Sequence, residues 1–182
     1  FVKQLLTILL VTFLFFGCNQ PEVRRPVSVK SSSFIDKSVA LNKSLNNEQH
    51  ERIQHIIQNN PETKFIASPN GFWYYYNVKV EGDSITPKFG NIVNFNYDVT
   101  DFNNATIYSQ EELKTQNYAM DQEEIFSGLR EGLKFMKAGE TITFLFPSDK
   151  AYGYYGDENK IGANISIICT VTINSITQKE TN

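Results

Sequence analysis

Between residues 64 and 176 a single helical period stands among segments of β texture, and that combination admits few folds. Leu129, Leu133 and Met136 recur at i, i+4 and i+7, with Arg130, Glu131, Lys134 and Lys137 mostly on the outward side. The spacing predicts an amphipathic helix over 126–137, stopped by Ala138-Gly139. Around it lie β-branched and aromatic runs at 71–80, 92–99, 106–108, 140–146 and 165–176, separated by turn residues such as those at 81–83 and 102–105. In the aromatic run 72–76 alternate side chains should divide between core and surface. Several antiparallel strands around one short helix predict an α+β domain with a single core.

The start of the chain has another character. Lys3 precedes an apolar stretch over 5–16, too short to span a bilayer comfortably, and Gly17-Cys18 follows directly before a polar segment. This order resembles a bacterial lipoprotein signal, which implies removal of 1–17 and acylation of Cys18. Acyl chains stabilise membrane attachment by about 0.8 kcal/mol per buried CH₂, so two or three hold firmly. Asn19 is not the Asp that retains lipoproteins in the inner membrane of well-studied Gram-negative bacteria, and the resemblance therefore favours the outer membrane, facing the periplasm. Residues 18–44, rich in Ser, Lys, Pro and Val, are expected to form a flexible tether. A short helix is expected within 45–62, capped by Asn46 or Asn47 with Gln49 at capping-box distance and ended by Asn60-Pro61. Its narrow stripe of Ile53, Ile56 and Ile57 suits docking on the domain better than dimerisation. The main domain then covers 63–178, and 179–182 is a tail.

Net charge of −3 without a basic patch argues against nucleic acid as a partner. Cys18 and Cys169 stand in unlike contexts, so a disulfide framework is not expected. His50 and His55, five apart, do not share a helix face and offer no metal site. Asp157-Glu158-Asn159 reads as a solvated loop tip with too few oxygen ligands for a cation.

Four segments in order carry a resemblance over roughly 110 residues. Pro87-Lys88-Phe89-Gly90-Asn91-Ile92-Val93-Asn94-Phe95-Asn96-Tyr97 is similar to PKxGxxVxVxY. Phe126-Ser127-Gly128-Leu129-Arg130-Glu131-Gly132-Leu133, with Met136 and Gly139-Glu140, is similar to IPGWxEGLxxMxxGE. Phe146-Pro147-Ser148-Asp149-Lys150-Ala151-Tyr152-Gly153 matches IPSxxAYG, and Ile161-Gly162-Ala163-Asn164-Ile165-Ser166-Ile167-Ile168 stands where IPPNATLxF is usual. These are motifs of the FKBP-type prolyl isomerases, and with the lipoprotein signal the chain also resembles gliding-motility-associated prolyl-isomerase-like lipoproteins of Bacteroidetes. The resemblance implies a curved antiparallel sheet wrapped around one short central helix. It also implies non-covalent isomerisation of X-Pro bonds in polypeptide clients, with no cofactor and no metal.

Residue by residue, the resemblance implies Tyr97 as a pocket wall, the Phe126 backbone N–H as a donor to a substrate carbonyl, Leu129 as the floor and the Tyr152 hydroxyl as a second donor. Ile107, Tyr108, Tyr118, Ile125, Ile161 and Cys169 would complete the substrate contacts. Leu129 replaces a common Trp, Tyr108 an Asp, Ile107 and Cys169 aromatics, and Gly162-Ala163 a Pro-Pro. These departures predict a roomier, less aromatic pocket with low or specialised activity. They also keep open a second reading, a catalytically weak scaffold or chaperone module in an envelope complex. Neither reading gives an oligomeric state.

Overall fold

The computed structural model describes residues 31–82 and 85–178. The expected signal segment 1–17, the lipidation site Cys18, the first part of the tether and the tail 179–182 lie outside these residues. Among the described residues no helix is long and apolar enough to cross a membrane.

The described chain opens with α1, Ser31–Gln58, a helix of 28 residues. The second half of the expected tether and the expected short helix are therefore one element. The period legible in sequence is confined to the C-terminal half, where Leu45, Gln49, Ile53, Ile56 and Ile57 turn inward. The Ser- and Lys-rich half before it carries no stripe, and helix there extends from the docked half at one hydrogen bond per residue added. Asn46 and Asn47 are mid-helix rather than caps. At the C-terminus, the Asn59 amide donates to the His55 carbonyl at 3.0 Å and Asn60 Nδ2 to the Ile56 carbonyl at 2.7 Å, satisfying carbonyls that the helix leaves open. Pro61 prevents further helix.

Seven strands follow: β1 Ile66–Ala67, β2 Trp73–Val78, β3 Ile92–Thr100, β4 Thr106–Tyr108, β5 Gln116–Ala119, β6 Thr141–Phe146 and β7 Ile167–Thr177. They form one antiparallel sheet in the order β1-β2-β6-β7-β3-β4. β5 shares the outer edge of β3 with β4, pairing with residues 92–95 while β4 pairs with Val99 and Thr100. Between them the chain makes one turn of helix, α2 Gln110–Leu113, started by Ser109 accepting from the Glu112 amide. The last strand in sequence, β7, thus stands between β6 and β3 in the middle of the sheet.

β3 alternates in burial, with Val93, Phe95, Tyr97 and Val99 inward, and β7 does likewise with Ile167, Cys169, Val171 and Ile173. These side chains, with Ile142, Phe144 and Phe146 of β6, form one core cluster with helix α3, Ser127–Leu133. Phe72, Tyr74 and Tyr76 pack into this cluster, as alternation along the aromatic run requires. α3 is shorter than the predicted 126–137. Its apolar stripe continues in turns, where Met136 donates to the Leu133 carbonyl at 3.2 Å and is fully buried. Gly139 then donates to the Ile173 carbonyl at 2.7 Å and draws the chain to β7.

β6 is buried along both faces, including Thr143 and Leu145, which point away from α3. α1 covers that side: Ile53 is fully buried and the His50 ring meets Trp73 edge-on at 5.1 Å. Burying Ile53 alone contributes roughly 1.5–3 kcal/mol.

Candidate functional site

Three parts of the fold meet at one side of the sheet. β3 supplies Phe95 and Tyr97, β5 supplies Tyr118, and the approach to α3 supplies Ile125 and Phe126. The segment after β6 begins with a short 3₁₀ turn at Ser148–Lys150 and brings Tyr152 across the opening. Together they enclose a hollow of about 280 Å³, with Gln116, Asn117, Glu123 and Glu124 completing its lining. A larger hollow of about 540 Å³ lies between residues 62–66 and β2, but neither Tyr97 nor Tyr152 borders it. Chemistry rather than volume selects the smaller one.

Phe126 has an extended backbone (φ −61°, ψ 146°) immediately before α3. Its carbonyl accepts from the Arg130 amide at 3.2 Å, while its own N–H makes no hydrogen bond among the described residues. Its ring stands 5.0 Å from that of Tyr152 and 5.4 Å from that of Phe146. Gly128 lets α3 lie this close, because a Cβ there would come within 2.5 Å of the Phe146 ring and 2.6 Å of the Lys150 carbonyl.

Burial pushes the Tyr97 hydroxyl up to about 12, and burial pushes Tyr152 higher still; the neighbouring Cys169 and Tyr108 act in the same direction on both. Both phenols are therefore protonated donors throughout the physiological range. No hydrogen bond among the described residues engages the Tyr152 hydroxyl.

Of the residues predicted from sequence, Tyr97, Tyr118, Ile125, Phe126 and Tyr152 line the hollow. Leu129, Cys169, Tyr108, Ile161 and Ile107 do not. Leu129 and Cys169 are fully buried in the core beneath, since the inward face of α3 and of β7 is committed to packing. Burial in apolar surroundings holds the Cys169 thiol well above its ordinary value. Phe95, which sequence reasoning did not single out, joins Tyr97, Tyr118, Phe126 and Tyr152 as an aromatic wall of the hollow.

Tyr108 is occupied elsewhere. Its hydroxyl donates to Asp157 and accepts from the Lys160 amide at 3.3 Å. Asp157 also accepts from the amides of Asn159 at 3.0 Å and Ile161 at 2.7 Å. Its burial would raise the carboxyl pKa, but the Tyr108 hydroxyl and these amides outweigh that and hold it below the usual carboxylate value. The residue expected to be a solvated loop tip is instead the internal anchor of the loop carrying Ile161. Lys160 Nζ reaches Glu112 at 2.5 and 2.7 Å and lies 4.8 Å above the Tyr108 ring. Gly156, at φ +69°, is required where the loop crosses itself, since a Cβ would sit 2.1 Å from the Ile161 carbonyl.

Among the described residues no group of three His, Cys, Asp or Glu side chains converges as a metal site would need. The arrangement offers a partly open hollow with aromatic walls, edged by Gln116, Asn117, Glu123 and Glu124, beside an amide donor and a phenol that make no hydrogen bond among the described residues.

Comparison with known proteins follows the same lines. A family model described as FKBP-type peptidyl-prolyl cis-trans isomerase matches residues 83–174. Among solved structures, a peptidyl-prolyl cis-trans isomerase from Pseudomonas syringae pv. tomato is 16% identical with a TM-score of 0.60, covering 75% of this chain and 96% of that one. FkpA from Escherichia coli is 20% identical with a TM-score of 0.60, covering 97% of this chain and 82% of that one. At these identities the two structures speak to the fold. No curated protein matches the chain.

Proposed function

Since the chain belongs to the FKBP-type peptidyl-prolyl cis-trans isomerase family, we propose that the hollow bounded by Tyr97, Phe126 and Tyr152 seats the proline ring of a polypeptide client. Rotation of an X-Pro bond must cross roughly 18–20 kcal/mol because amide resonance is lost at the twist. No nucleophile is needed. The twisted amide has a smaller dipole than the planar one, so aromatic walls that displace water from the bond when a client binds penalise it less. The Phe126 N–H and the Tyr152 O–H hold the flanking carbonyls while the bond turns, and both donors are in place before substrate arrives. The observation that carries this reading is the free, protonated Tyr152 hydroxyl at the mouth of the hollow.

Tyr152→Phe tests it in a protease-coupled assay on an X-Pro peptide. One neutral hydrogen bond contributes about 0.5–1.5 kcal/mol, so kcat/KM should fall about 2- to 12-fold without vanishing. A variant as fast as the wild type removes Tyr152 from the mechanism. A second reading, a scaffold module, draws on the Phe126 ring 5.0 Å from Tyr152, which narrows the hollow. Partner capture that survives Tyr152→Phe together with Phe126→Ala supports that reading.

The same proposal places the domain in the cell envelope, tethered through acylated Cys18, on the outer membrane facing the periplasm. It is supported by the order Lys3, apolar stretch, Gly17-Cys18 and by Asn19 after the cysteine. Cys18→Ala should abolish incorporation of labelled fatty acid and move the protein from the membrane to the soluble fraction; unchanged fractionation sinks the anchor. A role in gliding motility is the narrowest form of the proposal, resting on resemblance to such lipoproteins, and is tested by the spreading of cells that lack the protein.

A further inference from the structure

Gln49 interrupts the apolar stripe of α1, yet it is buried. Its Oε1 accepts from the Ser148 amide at 2.8 Å, and its Nε2 donates to the Asn164 carbonyl at 3.1 Å. The two partners fix the orientation of the side-chain amide, since one is a donor and the other an acceptor. Ser148 and Asn164 are the two ends of the segment that carries Tyr152 and Ile161. Between them, the Ser148 carbonyl accepts from the Gly153 amide at 2.8 Å, and the Gly153 carbonyl accepts from the Asn164 amide at 2.8 Å. Gln49, Ser148, Gly153 and Asn164 thus close a ring of four hydrogen bonds, and Gly153 is the residue next to Tyr152.

The geometry assigns Gln49 as a positioning residue for the isomerase reaction: from outside the matched family region, α1 locks the neck of the 148–164 segment and so sets where the Tyr152 hydroxyl stands. Asp157 and Tyr108 hold the far end of the same segment. At the neck, an element N-terminal to the family region reaches the segment through a buried side chain. A glutamine here is matched to its task. Glutamate keeps the acceptor for Ser148 and loses the donor to Asn164, and leucine keeps the bulk and loses both. Left open, the ring exposes a buried amide and carbonyl without partners, which favours local opening of the neck.

The inference rests on the proposed role of Tyr152, and its test separates the two. The full chain is compared with Gln49→Glu, Gln49→Leu and the exposed control Gln54→Glu. Hydrogen exchange at the Ser148, Gly153 and Asn164 amides is measured alongside kcat and KM. Exchange at these amides should quicken about tenfold in both Gln49 variants while β3 and β7 amides keep their protection. kcat/KM should fall about 3- to 10-fold, mainly through kcat, with the control unchanged. In a Tyr152→Phe background the further loss from Gln49→Leu should shrink to near nothing, because the hydroxyl being positioned is gone. Unchanged exchange at the neck overturns the assignment, whatever the activity does. So does a loss of the same size with and without Tyr152→Phe. If Tyr152→Phe alone leaves turnover intact, the reading of the catalytic site fails, and the exchange measurement still decides whether Gln49 holds the neck.

Discussion

The hydroxyls of Tyr97 and Tyr152 are held protonated by burial far above neutral pH. A donor that does not ionise contributes no alkaline limb, so kcat/KM should be flat between about pH 6 and pH 9. A bell-shaped profile in that range would assign the chemistry to another group. Asp157 behaves in the opposite sense. Its folded pKa lies below the ordinary carboxylate value of 3.8. Its contribution to the loop is therefore complete above the unfolded value and is lost as pH falls through the lower folded value. Protection of the Ile161 amide should drop across that acid window in the wild type. The step should be absent in Asp157→Asn, whose amide oxygen still accepts but does not titrate. The site residues legible in sequence are those within contiguous motifs: Tyr97 on an alternating strand, Phe126 before a helical stripe, Tyr152 after a Ser-x-x-Ala turn. Gln49 escaped because its partner Asn164 is 115 residues away, and Asp157 because Tyr108, which joins its local amide donors, is 49 residues away. No local period marks a polar side chain satisfied at such distance.

Among the elements, α3 depends on two close approaches. A Cβ on Gly128 would meet the Phe146 ring at 2.5 Å, and one on Gly132 would meet the Phe144 ring at 2.8 Å. Gly128→Ala should destabilise the fold by about 1–3 kcal/mol, as overpacking does, read as a lower urea midpoint at constant m. An unchanged midpoint would mean that both the Phe146 ring and the Lys150 carbonyl give way freely. The helix was legible from Leu129, Leu133 and Met136 because burial follows the stripe even where the last turn leaves helical bonding. The helix stops at Leu133, short of the predicted 137, because the chain tightens into turns in which Phe135 and Met136 donate to the Gly132 and Leu133 carbonyls. α1 differs in the other direction, beginning at Ser31 rather than within 45–62. Residues 31–44 carry no stripe, and nothing in their own composition records that a docked helix continues through them.

For the whole molecule, the sheet carries a helix on each side, α3 against the inward face of β3, β6 and β7 and α1 against the outward face of β6. Ile53 is the apolar centre of the second layer. Ile53→Ala should cost about 2–5 kcal/mol, the range for emptying a buried aliphatic site, and lower the thermal midpoint of the full chain. A midpoint within error of the wild type would show α1 to be an appendage. The two-layer core around α3 was readable from alternating β runs and one helical stripe. The second layer was visible only as three isoleucines, because its other face is Leu145 and Ile168, which read in sequence as ordinary strand residues.

The place of β7 at the middle of the sheet has a consequence for synthesis. Until Ile167–Thr177 leaves the ribosome, β3 and β6 each present an unzipped row of backbone donors and acceptors with nothing between them. The native sheet cannot be complete before that segment is available. Its pairings with β3 and β6 join residues far apart in sequence, so a truncated chain ending before Ile167 should show none of the native protection along β3 and β6 in hydrogen exchange.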